Sequence, residues 1–410
     1  MPEHAKRTAE REKSAKLRDK SPAAQSEFGT LLDVTRRVPA PVQKLLWGIS
    51  AGRCEFEGCN ERLWKNDLTQ DIRVVGENAH VRAFSPRGPR GEQQSTDEDV
   101  NNIDNLILLC PVCHVTIDRG DGPTKYGIDR VRAMKEAHEA RIDAACAIAA
   151  DRVSHVLTYT THVGAHHALP TRRDASAALF GQRRYPSSTT IDLSTRDGAD
   201  TVVNADFWRQ EASRLSQQFD RQVRQSLERG EINHISAFAL APQPLLIHLG
   251  TLLGDIAPVE TYQRHREPPT WTWPADGHAL AFDVLAPTAT GGQPALVLSI
   301  SATVTHDRIE RVVGSDASIW HVTVAAPNND IVSSPTTIAS FRAFVRPLLD
   351  RIKATHGHQA LLHVFPAMPV SLAVEFGRVR MPKADMPWRL YDERSSLGGF
   401  VPTLTIELGA

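Results

Sequence analysis

Two rhythms divide the chain. Up to about residue 150 the apolar positions come in short, uneven runs. "APVQKLLWGIS" reads as a short helix with Pro41 in its first turn, and "GRCEFEGCNERLW" as a knuckle-like turn. "IRVVGENAHVRAF" alternates as a strand, and "SPRGPRGEQQSTDEDVNN" is a polar loop. "NNIDNLILLCPVCHVTIDRG" carries an apolar strand into a helix, and "YGIDRVRAMKEAHEARIDAACAIAADRV" spaces its apolar residues helically and closes the region.

Beyond residue 150 strands and helices alternate. "RVSHVLTYTTHVGAH" and "STTIDLST" read as strands around a loop holding Arg172, Arg173, Arg183 and Arg184. An amphipathic helix is expected over 205–229, then the strand "HISAFALA", the buried helix "PQPLLIHLGTLLG" and the strands "VETYQRH" and "ALAFDVLAP". Next come "ALVLSISATV", a helix at 306–313, "IWHVTVAAP", a helix at 336–355, "ALLHVFPA", a helix at 369–378, "WRLYDE" and "TLTIEL". Such alternation predicts an α/β sheet domain of roughly two hundred residues. An internal echo runs through it: strand, Pro242, helix, Gly250 and a strand with Tyr262 match strand, Pro369, helix, Gly377 and a strand with Tyr391. Two readings stay open, ordinary helix punctuation by Pro and Gly or a duplicated Rossmann-like unit.

At 410 residues the chain exceeds one ordinary core. The expected division is a charged mobile arm over 1–28, a first domain over 29–150, a connecting region over 151–204 that begins the second domain, and the rest of that domain over 205–410. The chain is 41% hydrophobic with a formal net charge of -1, which argues against a wholly basic nucleic-acid coat. It shows no membrane-length apolar run and no secretory leader pattern, so the expected location is cytoplasmic with no membrane partner.

Of five cysteines, Cys54/Cys59 and Cys110/Cys113 form two close pairs, while Cys146 stands alone in an alanine-rich helix and is expected to be a small buried residue. Two short-spaced pairs supply four thiolates to a tetrahedral ion, which predicts a closed, structural Zn²⁺ site. His114 is surplus to that tetrahedron. With His80 on a strand and Asn105 between them, it completes a set suited to one-metal phosphodiester hydrolysis. In this reading His80 is the general base, His114 ligates a catalytic divalent cation, expected to be Mg²⁺, and Asn105 bonds the backbone around His80. Each of these residues also has an ordinary structural reading; it is their combination, framed by the cysteines, that points to catalysis.

"GRCEFEGCNERLW", "ENAHVRAF" and "DNLILLCPVCHVTID" resemble an HNH endonuclease of the ββα-metal type with a stapling zinc, over residues 50–140. The resemblance implies metal-dependent cleavage of double-stranded DNA, with His80, Asn105 and His114 as the name-giving residues. Many members carry an acidic ligand just before the first histidine, where this chain has Ala79. By alternation Glu77 shares the face of Ala79, opposite His80, so Asp118, one turn after His114, is the acidic candidate. Arg82, Arg87 and Arg90 are candidate phosphate contacts.

"VETYQRHREPPTWTWP" gathers aromatic and basic residues suited to stacking on bases and holding phosphates. The arrangement from "HISAFALAPQPLLIHLG" to "MPWRLYDE" resembles a SAVED domain, two fused CARF-related Rossmann-like units, over about residues 155–410. An HNH nuclease fused to SAVED is similar to effectors of cyclic-oligonucleotide antiphage defence (CBASS). This implies activation by a cyclic di- or trinucleotide made by a partner nucleotidyltransferase, with a homo-oligomer that enlarges on ligand binding. Tyr262, Arg264, Trp271, Trp273, Arg378 and Tyr391 are the ligand-contact candidates. The fold class expected is thus multidomain, an α+β zinc-stapled domain followed by an α/β domain. Two alternatives remain, a restriction-type enzyme reading modified DNA through its C-terminal domain and a zinc-stabilised nucleic-acid binder without catalysis.

Overall fold

Four residues of the alternating stretch, Glu77–His80, form strand β1 and pair antiparallel with β2 (Leu106–Leu109), Glu77 opposite Leu109 and His80 opposite Leu106. The strand is shorter than expected because β2 offers four partners; Ile72 and Val74, upstream, are exposed. This computed structural model describes residues 38–66, 68–83, 85, 87–91, 100–161, 170–195, 204–394 and 398–409. The arm expected over 1–28 lies outside the described residues. Two units divide the chain, Met1–Ala144 and Ala145–Ala410, six residues before the boundary read from sequence.

In the first unit β2 is apolar and wholly buried. The chain then turns at Cys110, whose sulfur accepts from the Cys113 N–H and caps helix α2 (Pro111–Asp118), with Pro111 in the first turn where its missing donor does no harm. β1, β2 and α2 make a ββα unit. Helices α1 (Ala40–Ile49), α3 (Gly122–Lys125) and α4 (Ile128–Cys146) complete it. Its core gathers Leu46, Leu63, Val81, Leu106–Leu109, Ile117 and Val131. His138 of α4 reaches the Ser50 carbonyl at 3.0 Å and ties the last helix to the end of the first. Cys146 is exposed rather than buried, because it falls at the far end of α4 beyond the packed face.

The second unit holds two sheets of one plan. In the first, β4 (Tyr185–Asp192), β3 (Val153–Thr160), β5 (Ile235–Leu240) and β6 (Val259–Thr261) lie in that order, all parallel. In the second, β11 (Ser318–Thr323), β10 (Pro294–Ser299), β12 (Leu362–Ala367) and β13 (Trp388–Arg394) repeat the order in parallel. Antiparallel β9 (Asp283–Leu285) and β14 (Gly399–Ile406) close its edges. β3 and β4, from the stretch read as beginning the second domain, supply two of the first sheet's four strands.

The helices follow the same repeat: α5 (Arg172–Gly181) answers α9 (His306–Val313), α6 (Ala205–Phe219) answers α10 (Pro335–His356), and α8 (Gln243–Leu253) answers α11 (Val370–Val379). A π turn over Asp220–Arg224 and the short α7 (Gln225–Glu228) extend α6. Helix α5 replaces the arginine-rich loop expected there. Thr171 accepts from the Asp174 N–H, and Asp174 returns a bond to the Thr171 N–H, a capping box that starts the helix. A two-residue antiparallel ladder joins β7 (His265–Arg266) and β8 (Pro269–Thr270). Among the described residues no helix is long and apolar enough to cross a membrane.

Duplication explains the internal echo. Gly250 and Gly377 do not end their helices; they lie where α8 and α11 cross. A Cβ on Gly250 would stand 2.0 Å from the Val374 carbonyl oxygen, and one on Gly377 2.0 Å from that of Ile247. Only residues without a side chain let the two backbones meet there. At the N-terminal ends of the pair, Gln243 spans the join, its Nε2 donating to the Met368 carbonyl at 2.6 Å and its Oε1 accepting from the Met368 N–H at 3.3 Å.

Candidate functional site

The four sulfurs of Cys54, Cys59, Cys110 and Cys113 all lie within 4.8 Å of one another. The Cys110 N–H points at the Cys54 sulfur at 3.3 Å and the Cys113 N–H at the Cys110 sulfur at 3.4 Å. Burial pushes the Cys54 thiol up to about 12, and burial with the neighbouring sulfurs raises Cys113 further. Burial of this kind disfavours the thiolates of Cys54 and Cys113 unless a cation shares the site. Tetrahedral Zn²⁺ sulfurs stand about 3.8 Å apart, given Zn–S bonds of about 2.3 Å, so this donor set fits the ion by spacing and chemistry.

Three residues from β1 and α2 converge beside it. On β1, Glu77 and Ala79 share one face, and α2 covers that face. The Glu77 carboxylate therefore meets His114 Nδ1 in a close ion pair. Asp118, one helical turn on, stands 3.1 Å from His114 Nε2. Held at both nitrogens by carboxylates, above all by the bond to Asp118, His114 keeps its proton to a higher pH than usual. Burial alone would raise Asp118, but its bonds to His114 and Arg90 outweigh this and hold it below the ordinary carboxylate range. Alternation was right about the face of Glu77; what it could not say was that α2 lies on that face.

His80 ends β1, with Nε2 3.2 Å from Asn101 Oδ1. Buried Asn105 clamps the chain just beyond it: its Oδ1 accepts from the Arg82 N–H at 2.9 Å, and its Nδ2 donates to the carbonyls of Arg82 at 3.0 Å and Val100 at 2.9 Å. The orienting partner Asn101 was missed by sequence reading, although the paired asparagines before the strand were its only signal. Among the described residues no hydrogen bond joins His80 to His114; Arg90 ties the His80 carbonyl to Asp118, which in turn meets His114.

Arg90 requires a correction. Its side chain is 3% exposed and donates to the carbonyls of Val81 at 2.7 Å, Ile117 at 2.7 Å and His80 at 3.2 Å, and to Asp118 at 2.6 Å. A guanidinium that spends four of its five N–H groups in this way, with its side chain out of solvent, is a staple between β1 and α2 and not a phosphate contact. Arg87 is exposed and Arg82 half-buried.

The six ligand-contact candidates divide. Tyr262 stacks on Phe238 at 4.4 Å with Trp271 edge-on to the same ring at 5.3 Å, and Tyr391 stacks on Phe365 at 4.4 Å with Phe400 edge-on at 5.2 Å. Tyr262, Trp271 and Tyr391 are therefore buried core, one matching triad per repeat, and are corrected as ligand contacts. Arg378 is buried on Glu375 at 2.9 Å and on the carbonyls of Gly254 and Val259. Arg264 lies 5.9 Å over Trp271, and Trp273 is half-buried against His265.

Comparison with known proteins adds a domain match within the second unit. Among solved structures, the Acinetobacter baumannii Cap4 SAVED/CARF-domain containing receptor with the cyclic trinucleotide 2'3'3'-cAAA is similar at 11% identity and a TM-score of 0.42, covering 72% of this chain and 64% of that one. The same receptor with 3'3'3'-cAAA is similar at 10% identity and a TM-score of 0.39, covering 77% and 68%. The Moraxella osloensis Cap4 receptor follows at 10% and 0.36, covering 68% and 59%. The chain spans just under two thirds of the first of these structures. No curated protein matches it. The family model described as SAVED, the SMODS-associated and fused to various effectors sensor domain, matches residues 215–406, and over these residues the chain carries a SAVED domain.

Proposed function

We propose that the chain is a metal-dependent DNA endonuclease switched on by a cyclic oligonucleotide at its SAVED domain, an effector of antiphage defence. The observation that carries the nuclease half is the ββα unit in which a strand histidine, a buried amide clamp and a helix imidazole flanked by two carboxylates sit beside a four-sulfur cluster. The sensor half rests on the SAVED match, a domain described as fused to various effectors.

His80 would take the proton from the attacking water, its ring turned by Asn101 and its strand fixed by Asn105. Glu77, His114 and Asp118 offer two carboxylates and an imidazole, a donor set suited to a hard divalent cation once the ring gives up a proton. Such a cation, expected to be Mg²⁺, would supply charge stabilisation at the scissile phosphate. Cys54, Cys59, Cys110 and Cys113 would hold Zn²⁺ as a structural staple with no open position. Exposed Arg87, with Arg82, would steady DNA phosphates without reading bases. In open α/β sheets ligands bind outside the carboxyl ends of the strands. By that rule the messenger, made by a partner nucleotidyltransferase, would bind at the strands' carboxyl ends, near where Gln243 of one half bonds Met368 of the other. Enlargement of a homo-oligomer would then bring nuclease units together on one duplex.

Plasmid digestion with Mg²⁺, with and without a panel of cyclic di- and trinucleotides, tests both halves. Cleavage is expected with one member of the panel and is expected to vanish in His80→Ala. Cleavage indifferent to every cyclic nucleotide would reject the sensor half; no cleavage under any condition would reject the nuclease half.

A further inference from the structure

At the opposite edge of the second unit, the loops entering β6 and β13 and the middle of α10 enclose a cavity of about 850 Å³. Arg342, Arg346, Arg378, Arg380 and Lys383 line it against one carboxylate, Asp255. The carboxylates behind the wall do not balance these charges evenly. Fully buried Glu375 serves two guanidiniums, Arg378 at 2.9 Å and Arg342 at 3.1 Å. Arg346 is held by Asp385 at 2.6 Å and Asp350 at 3.0 Å. Arg380 packs over Trp388 and donates to the Glu407 carbonyl. Lys383 is exposed, with no carboxylate in salt-bridge reach among the described residues. Burial lowers the pKa of both Arg378 and Arg380, against the opposing pull of Glu375 on the first and Asp385 on the second.

Concentrating guanidiniums in a half-enclosed concavity is unfavourable unless an anion shares it, and planar guanidinium forks match phosphate oxygens. The volume lies in the range of small-molecule sites and far exceeds one phosphate group. Ala343, Met381 and Pro382 supply an apolar wall beside the cations, a surface suited to a base or sugar. We propose that this cavity is a second ligand site, for a nucleoside polyphosphate, separate from the messenger position proposed at the strands' carboxyl ends.

The test is calorimetric titration of the full chain at low salt with ATP, tripolyphosphate and adenosine, all without divalent metal. ATP is expected to bind saturably, to weaken as salt rises, and to bind more tightly than tripolyphosphate, with no heat from adenosine. The double variant Arg342→Ala/Lys383→Ala, which leaves Arg378 on Glu375, is expected to bind ATP at least tenfold more weakly while melting like the parent. Ala343→Trp, which fills the apolar wall, is expected to weaken ATP but not tripolyphosphate, and keeps the test open if the double variant does not fold. Absence of ATP binding in the parent chain, or ATP binding untouched by both variants, overturns the proposal.

Discussion

A guanidinium, an amide and four sulfurs organise the N-terminal unit, whereas the C-terminal unit is organised by packing. In the first, Arg90 and Asn105 spend nearly every polar atom on backbone around His80, and the cysteines gather at one point. In the second, two sheets of one plan meet through a glycine crossing, and matching aromatic triads fill each half. The contrast teaches where each unit is vulnerable. Directional bonds hold a few side chains in fixed geometry with little apolar mass, which suits chemistry; close packing gives a rigid frame in which two similar halves face each other.

Metal removal is the harshest way to break the comparison. Binding of Zn²⁺ to a four-cysteine cluster is worth on the order of 10 kcal/mol, so a strong chelator is expected to abolish the thermal transition of the first unit and leave that of the second. Elemental analysis is expected to find one zinc per chain, and a zinc-free chain with both transitions intact would refute the staple. Next in size, His80→Ala is expected to lower cleavage by about 10²–10⁴-fold at unchanged zinc content and melting temperature. A comparable loss of folding would instead assign His80 a structural role.

Stability measurements sharpen the rest. Arg90→Ala takes one of two cationic partners from Asp118 and strands three carbonyls, and is expected to destabilise the first unit by about 3 kcal/mol, read by urea unfolding, with the second unit unaffected. Gly250→Ala drives a Cβ into the Val374 carbonyl and is expected to reverse that pattern, costing the second unit about 2 kcal/mol; a neutral result would mean that the helices separate freely. Tyr391→Phe keeps the stack on Phe365 and removes only the 2.8 Å bond to His363. About 1 kcal/mol is expected, and a messenger affinity unchanged by it would agree with the core assignment of this tyrosine.

Local motifs were legible in sequence because their chemistry and spacing lie within a few residues. Cys54-x4-Cys59 and Cys110-x2-Cys113 announced their cluster, and Asn105 announced a backbone clamp. Helix α5 was equally local and was missed, although Thr171 and Asp174 stand at capping-box spacing. Tyr262, Trp271 and Tyr391 were read as ligand contacts for a different reason. An aromatic beside arginines has the same sequence signature whether it stacks on a base or on Phe238 and Phe365, which lie 24 and 26 residues upstream of the two tyrosines.

By itself, the chain's order of residues determined the strand and helix rhythm, the two-part division, the cysteine pairing and the internal echo, since each follows from periodicity or short-range geometry. Tertiary structure alone decided that Glu77 meets His114, that Arg90 turns inward, that Gly250 faces Gly377 and that five cations share one cavity. Those outcomes depend on which face one element lays against another. That is settled by the packing of surfaces far apart in the chain, and no local pattern encodes it.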